Sequence, residues 1–150
     1  MCIYVKPAGG AWRLIAAPVT DGEGRFRVYR VNPLPLGTHE LWAQVPGDAS
    51  RVSAKVYVRP LGTILSVFDL DGTLTKSDRD SLLKQVGDRP PEVKPHAQEL
   101  TQTQNGHCYV NLYLTARPST WFDSTRRWLS EKKFAPGALH MTTSNNPAEL

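Results

Sequence analysis

The sequence predicts an α/β protein in two parts, a small β-sandwich-like domain at residues 1–61 and an incomplete Rossmann-like parallel sheet at residues 62–150. Two observations support this division. From residue 11 to 59, apolar residues fall in short runs separated by turns, with no helical periodicity. Beyond that point, a helical pattern separates two continuous apolar runs, which is the order of elements in a parallel sheet.

The first part reads as four strands of a sandwich. Two of them would pair as a hairpin across residues 21–24 (DGEG), because Asp and Gly favour reverse turns. Residues 60–62 (PLG) mark the junction between the two parts. The predicted strands are residues 11–15, 25–29, 41–45 and 54–58.

The second part contains strand-like runs that are apolar at nearly every position, as expected for strands buried on both faces of a sheet. A helix is predicted between them at residues 95–104, and Gly106 would end it. A second helix would start at Thr120, with Asp123 in the capping position, and run to about Lys133. The predicted strands are residues 63–68, 109–114 and 138–141, and residues 142–150 read as a polar turn.

The formal net charge of +4 is distributed unevenly. Residues 1–60 carry eight Lys and Arg against four Asp and Glu, whereas residues 61–150 carry ten of each. The excess in the first segment suits an anionic membrane surface. No block of adjacent cations is present, however, so an ordinary solvated surface is the simpler interpretation.

Cys2 and Cys108 are too few for a disulfide framework or a zinc site, which favours a reducing compartment. No run approaches the roughly 18 apolar residues of a membrane span, and the N-terminus has no secretory signal. We therefore expect a cytoplasmic protein without a transmembrane segment, compatible with peripheral membrane contact. The chain begins in strand-like residues and stops early in the second part, so we expect a fragment of a longer polypeptide. The oligomeric state stays open.

Chemistry-bearing residues cluster at the end of the first apolar run, in VFDLDGTLT at residues 67–75. Ligands of open α/β sheets collect at the carboxyl ends of strands, where Asp69 and Thr115 would lie. Asp69 could attack phosphorus as a nucleophile, while oxygen atoms of the loop hold a hard cation such as Mg²⁺. Gly72 permits a tight turn that brings backbone N–H groups toward a phosphate, and Thr73 adds a hydroxyl.

Other polar residues near these strand ends have more than one interpretation. Asp71 could protonate a leaving oxygen and later activate water, while Thr115 would hydrogen-bond the phosphoryl oxygens. Arg117 could reach a headgroup phosphate or pair with Asp123 in a structural contact. The loop could also be an acidic, calcium-binding turn, but an EF-hand requires Gly at its sixth position, where this sequence has Leu74.

The loop resembles motif I of the haloacid dehalogenase superfamily, and LYLTARP at residues 112–118 is similar to its motif II. More narrowly, DGTLTKSD at residues 71–78 resembles the lipin-type phosphatidate phosphatases. The match extends to the LNS2 domain, which lipins share with membrane-associated phosphatidylinositol transfer proteins of the Nir and retinal degeneration B type. Similarity to the second group includes LGTHE at residues 36–40 and VRPLGT at residues 58–63. The resemblance covers about residues 22–141 and implies a haloacid dehalogenase-like sheet.

The resemblance also implies a role for each motif residue. Asp69 would be the nucleophile and a magnesium ligand, Asp71 the acid or base with its backbone carbonyl on magnesium, and Thr115 a phosphate-binding hydroxyl. Many Nir-type domains lack the first aspartate and are thought to bind phosphatidic acid without hydrolysing it. This sequence keeps both aspartates and in this respect is similar to lipin.

The superfamily further requires a Lys and a later acidic residue, in motifs III and IV, and the chain ends before either. Lys132 and Lys133 stand too early and read as solvated helix residues. We therefore expect little phosphatase activity from the chain alone. Two functions follow: a magnesium-dependent phosphatase acting on phosphatidic acid or a related phosphomonoester through an aspartyl-phosphate, or a non-catalytic phosphatidic-acid-binding module. No nucleic-acid partner is expected, because the aromatic residues of the last helix read as core.

Overall fold

A computed structural model describes residues 1–29, 32–76 and 91–142. The chain divides into two compact units, Met1–Gly62 and Thr63–Leu150. Within the described ranges, the first unit contains an antiparallel sheet and the second a parallel sheet. The mixed α/β class predicted from the sequence is therefore confirmed.

The first unit forms its sheet from four strands, with β1 and β3 in the centre. Ile3 and Val5 of the first strand are 7% and 0% exposed, so their face of the sheet carries the apolar core of the unit. Across the sheet the order is β2-β1-β3-β4. The strands are β1 (Cys2–Lys6), β2 (Arg13–Ala16), β3 (Gly37–Gln44) and β4 (Arg51–Val58).

The structure corrects the sandwich prediction for this unit. Its described residues form a single sheet, and the run predicted as a strand at residues 25–29 lies outside it. The predicted turn at residues 21–24 does form, since the Asp21 carboxylate accepts a hydrogen bond from the Arg25 backbone N–H at 2.9 Å. Residues 25–29 gain little burial, whereas β1 buries two apolar side chains. For this reason β1, and not the predicted run, pairs with β2.

Among its described residues, the second unit has three parallel strands in the order β5-β6-β7 and two helices. All three predicted strands are confirmed, with shifted ends. Residues 143–150 of the predicted turn, and Ser77 and Asp78 of the lipin-like motif, lie outside the described residues. The elements are β5 (Leu65–Asp69), α1 (Ala97–Gly106), β6 (Val110–Pro118), a 3₁₀ turn (Ser119–Trp121), α2 (Phe122–Glu131) and β7 (Gly137–Thr142).

Both helices begin later than predicted. Helix α1 starts at Ala97 because His96 adopts a left-handed conformation (φ 63°), with its ring hydrogen-bonded to the Glu99 carboxylate at 2.8 Å. Helix α2 follows the 3₁₀ turn, and Trp121, which precedes it, provides no side-chain cap. The predicted cap at Thr120 is therefore wrong, because that residue lies inside the 3₁₀ turn.

The two helices pack on one face of the parallel sheet. On the opposite face, Leu65 and Val67 are 53% and 54% exposed, so the prediction that the first strand is buried on both faces is wrong. The three strands follow one another across the sheet in chain order. Right-handed crossovers between strands in this order place successive helices on the same face. The core of this side consists of Phe68, Leu70, Leu74, Ala97, Tyr113, Trp128, Leu129 and Phe134.

Gly137 lets β7 approach β6 closely, because a Cβ at this position would lie 2.5 Å from the Asn111 carbonyl oxygen and 2.8 Å from the Tyr113 ring. We expect Gly137→Ala to lower the free energy of unfolding by about 1–3 kcal/mol. The added Cβ would clash with the backbone of β6, which is hydrogen-bonded to strands on both sides and cannot move away easily. Gly106→Ala is the control, because no atom lies within 4 Å of its Cβ position. Urea denaturation compares the two variants, and equal stability would contradict the clash.

Candidate functional site

The segment after Phe68, residues 69–75, forms a closed turn that we call the aspartate loop. The Thr75 N–H donates to the Leu70 carbonyl at 3.0 Å, and the Leu70 and Leu74 side chains are buried in the core. Gly72 has a φ of 81°, a left-handed conformation that favours glycine. Its N–H donates to Thr75 Oγ1 at 3.3 Å, so the phosphate contact of this N–H stays a prediction.

The first aspartate of the loop is exposed. Asp69 is the last residue of β5, and Thr73 Oγ1 donates to its Oδ2 at 3.2 Å. In the part of the chain that the structure describes, no cation forms an ion pair with it. Asp69 therefore presents an uncompensated carboxylate at the carboxyl end of the strand, where the sequence placed it.

The second aspartate is buried and fully engaged. The side chains of Asp71 and Arg117 are 6% and 5% exposed. Arg117 Nη2 donates to Asp71 Oδ1 at 2.7 Å, and its Nε lies 3.2 Å from both carboxylate oxygens. Thr115 Oγ1 donates to Asp71 Oδ2 at 2.6 Å. The structure thus brings together three predicted site residues, two of which contact an aspartate where the sequence predicted contact with phosphate.

Arg117 is itself held from several sides. Its Nη1 donates to Thr125 Oγ1 at 3.3 Å, and its guanidinium carbon lies 5.6 Å from the centre of the Trp128 ring. The alternative pairing with Asp123 is wrong, because Asp123 is exposed and Asp71 takes the guanidinium. Contact between Arg117 and a headgroup phosphate would require the buried pair to open.

Lys94 is a site residue that the sequence analysis missed. An antiparallel bridge pairs Thr75 with Val93, and the Lys94 N–H donates to the Leu74 carbonyl at 2.9 Å. This pairing fixes Lys94 beside the aspartate loop, where its Nζ donates to the Gly72 carbonyl oxygen. The loop therefore carries an exposed ammonium group as well as an exposed carboxylate.

Lys76, which follows Thr75 of this bridge, already has an ion-pair partner. Lys76 Nζ donates to the Glu92 carboxylate at 3.0 Å, and this hydrogen bond, together with the ammonium charge, lowers the pKa of Glu92. Lys132 and Lys133 are exposed after α2, as predicted for solvated residues. Lys94 is thus the lysine that the described structure offers to a ligand of the loop.

The loop supplies the oxygen donors that Mg²⁺ prefers, a carboxylate and backbone carbonyls. Asp69 fits such an ion because its carboxylate is exposed and has no cationic partner among the described residues. The Asp71 carboxylate fits less well, because Arg117 and Thr115 occupy both of its oxygens, although its backbone carbonyl is a further donor. The described ranges contain no cluster of three or more His, Cys, Asp or Glu side chains suited to a metal. Asp69 and backbone oxygens are thus the donors that fit.

These features define a parallel α/β domain with two aspartates in a loop at the carboxyl end of a strand. The family model described as the LNS2 domain of PITM 1-3 matches residues 66–149, which is more than half of the chain. The chain belongs to this LNS2 domain family, which confirms its resemblance to the LNS2 domain.

Curated relatives extend the similarity. Membrane-associated phosphatidylinositol transfer protein 3 of Mus musculus is 26% identical over 139 residues, and protein retinal degeneration B of Drosophila melanogaster is 28% identical over 139 residues. Membrane-associated phosphatidylinositol transfer protein 1 of Homo sapiens is 27% identical over the same length. Each alignment covers 91% of this chain, but the chain spans only 14%, 11% and 11% of the respective relatives. The similarity therefore reaches well into the first unit.

The buried pair of Asp71 and Arg117 leads to a prediction about stability. Arg117→Met leaves the Asp71 carboxylate buried without its cation, so we expect the free energy of unfolding to fall by about 3–5 kcal/mol. Adding Asp71→Asn removes the unpaired charge and should restore part of the loss. Urea denaturation measures both variants, with Lys132→Met as an exposed control expected to stay within about 0.5 kcal/mol of wild type. A double variant no more stable than Arg117→Met would show that the two groups are not coupled.

Proposed function

We propose that this domain recognises the phosphomonoester headgroup of an anionic lipid of the phosphatidic acid class in a magnesium-dependent manner. The observation that carries this proposal is the buried pair of Asp71 and Arg117. Because this pair is closed, Asp69 and Lys94 are the exposed charged groups at the loop that have no ion-pair partner among the described residues. A ligand would meet these two side chains first.

Binding fits the state of Asp71 better than acid–base catalysis does. A general acid has to carry a proton on its carboxyl group and deliver it to the leaving oxygen. The Asp71 oxygens instead accept charge-assisted hydrogen bonds from Arg117 and a short one from Thr115. Both oxygens of this carboxylate therefore act as acceptors in the structure. We therefore assign Asp71 the role of holding the loop against β6.

The magnesium dependence follows from the charge of Asp69. A phosphomonoester carries about −1.5 to −2 charges at pH 7, and the exposed carboxylate repels it. Magnesium held by Asp69 and by backbone oxygens of the loop would supply the opposing positive charge, as in sites where phosphate completes the coordination. Lys94 would donate hydrogen bonds to the phosphate oxygens, and the Thr73 hydroxyl would do so after releasing the Asp69 carboxylate.

Two of the relatives compared are named membrane-associated phosphatidylinositol transfer proteins. The chain corresponds to 14% or less of the length of the three relatives compared. We propose that the domain contributes peripheral membrane contact to a protein of this kind. Among residues 1–29, 32–76 and 91–142, no helix combines the length and the apolar character that a membrane crossing requires.

Hydrolysis of phosphatidic acid is the second candidate function, and Asp69 is the observation that favours it. Its carboxylate is exposed and is hydrogen-bonded by Thr73. It could attack phosphorus, break the bond to the lipid oxygen and form an aspartyl-phosphate that water then hydrolyses. The leaving oxygen needs a proton, however, and Asp71 is engaged with Arg117. Recognition without hydrolysis therefore ranks first.

The variant Asp69→Asn separates the two functions. Soluble short-chain phosphatidic acid is the probe, titrated calorimetrically into the full chain with Mg²⁺ or with a chelator. For a recognition module, the wild-type chain binds only with Mg²⁺, whereas Asp69→Asn binds equally with and without the ion, because the repelling charge is gone. Neither protein releases inorganic phosphate.

Short-chain phosphatidylglycerol, whose phosphate is a diester, is the matched control ligand. Equal affinity for both lipids would contradict phosphomonoester recognition. Phosphate release by the wild-type chain that disappears in Asp69→Asn would establish the phosphatase instead.

Lys94 gives a separate test of the binding geometry. We expect Lys94→Met to weaken short-chain phosphatidic acid binding by roughly tenfold or more, the typical value of a lost hydrogen bond to a charged group. Lys76→Met is the matched control, because its ammonium already pairs with Glu92 at 3.0 Å. The same calorimetric titration measures the affinity of both variants. Equal losses of affinity would show that Lys94 does not contact the ligand.

A further inference from the structure

One face of the antiparallel sheet in the first unit is both aromatic and basic. Tyr4 pairs with Trp42, and Trp42 pairs with Ser53, so these residues mark one face across three strands. Side chains two positions away on each strand lie on the same face. We call this surface the aromatic-basic face; it comprises Tyr4, Lys6, Trp42, Arg51, Lys55 and Tyr57.

Two of the rings on this face, Trp42 and Tyr57, make contacts within the unit. Trp12 stacks on Trp42 with ring centroids 3.8 Å apart, and the Arg51 guanidinium lies 4.7 Å from the Trp42 centroid. The Arg59 guanidinium lies 5.3 Å from the Tyr57 centroid. The face therefore presents preorganised aromatic and guanidinium groups.

The charges of this face are unbalanced. Lys6, Arg51 and Lys55 are exposed on it, and Arg59 joins it through a hydrogen bond to Thr38, which pairs with Tyr57. Glu40 pairs with Lys6 on one side and with Lys55 on the other, and it is the acidic residue that this strand pairing places on the face. None of these cations forms an ion pair within the described part of the unit. The face thus holds free positive charge.

We propose that the aromatic-basic face docks on the surface of an anionic phospholipid bilayer. Trp and Tyr are favoured at membrane interfaces, where an apolar ring and a polar tip are both satisfied. Lysine and arginine near an anionic leaflet are attracted to it, and their effect falls off within a Debye length. This face combines both properties on one side of a sheet, which complements a charged lipid surface.

A single-stranded nucleic acid is disfavoured as the occupant. Binding of unpaired bases depends on aromatic faces that are open for stacking. Here Trp42 is engaged by Trp12 and Arg51, and Tyr57 is engaged by Arg59. The same groups still provide charge and interfacial aromatic character for a bilayer.

This docking surface goes beyond the headgroup recognition proposed for the aspartate loop. It lies in the other unit, needs no phosphomonoester and needs no magnesium. Vesicles of phosphatidylcholine mixed with phosphatidylserine, in the presence of a chelator, therefore probe the face alone. Failure of one proposal leaves the other testable, because short-chain phosphatidic acid probes the loop.

The experiment is vesicle co-sedimentation of the full chain at low and high salt. We expect binding to the mixed vesicles, weaker binding at high salt and little binding to pure phosphatidylcholine. Each basic residue near the surface contributes about fivefold, so Lys6→Gln with Lys55→Gln should weaken binding by roughly 25-fold. Lys55→Gln alone should cost about fivefold, which covers the case in which the double variant misfolds.

Arg126→Gln with Arg127→Gln is the charge-matched control, because both residues are exposed on α2 in the other unit. This control should bind like wild type, and circular dichroism confirms the fold of each variant. Equal loss in both double variants would overturn the proposal, since net charge alone would then explain binding. Tighter binding of a single-stranded oligonucleotide than of the vesicles would also overturn it.

Discussion

The Asp71 carboxylate and the Arg117 guanidinium are buried together, joined at 2.7 Å and supported by Thr115 and Thr125. A buried pair of this kind adds little net stability over an apolar pair, because desolvation of two charges offsets their attraction. Its effect is geometric. It ties the loop after β5 to the end of β6 and thereby supports the position of Asp69 at the strand end.

The order of the parallel strands determines which face of the sheet carries the core beneath the aspartate loop. Because β5, β6 and β7 follow one another across the sheet, both described helices cover the same face. The aspartate loop reaches that covered side through Leu70 and Leu74, which anchor it in the core. On the other side Leu65 and Val67 remain exposed. The site therefore stands at the end of β5, which among the described strands lies at the edge of the sheet and has its core on the helix side.

Local patterns predicted the strands of the parallel sheet and the position of Asp69, because periodicity and turn chemistry act over a few residues. They could not predict the partner of Arg117, since Asp123 is six residues away along the chain while Asp71 is 46 away. Lys94 had no local signal either, because a backbone bridge brings it to the loop. Either β1 or the run at residues 25–29 could have paired with β2. The segment that buried more apolar surface did so, and strand propensity alone does not predict this outcome.

The two aspartates of the loop carry different information about function. Asp71 is required by the fold, because Arg117 would otherwise be a buried cation without its anion. Its presence is thus explained whether or not the domain catalyses a reaction. Asp69 has no such structural duty: its side chain is exposed, and its hydrogen-bond partner among the described residues is the neighbouring Thr73. The presence of Asp71 in the sequence therefore does not distinguish recognition from hydrolysis, whereas its engagement with Arg117 favours recognition.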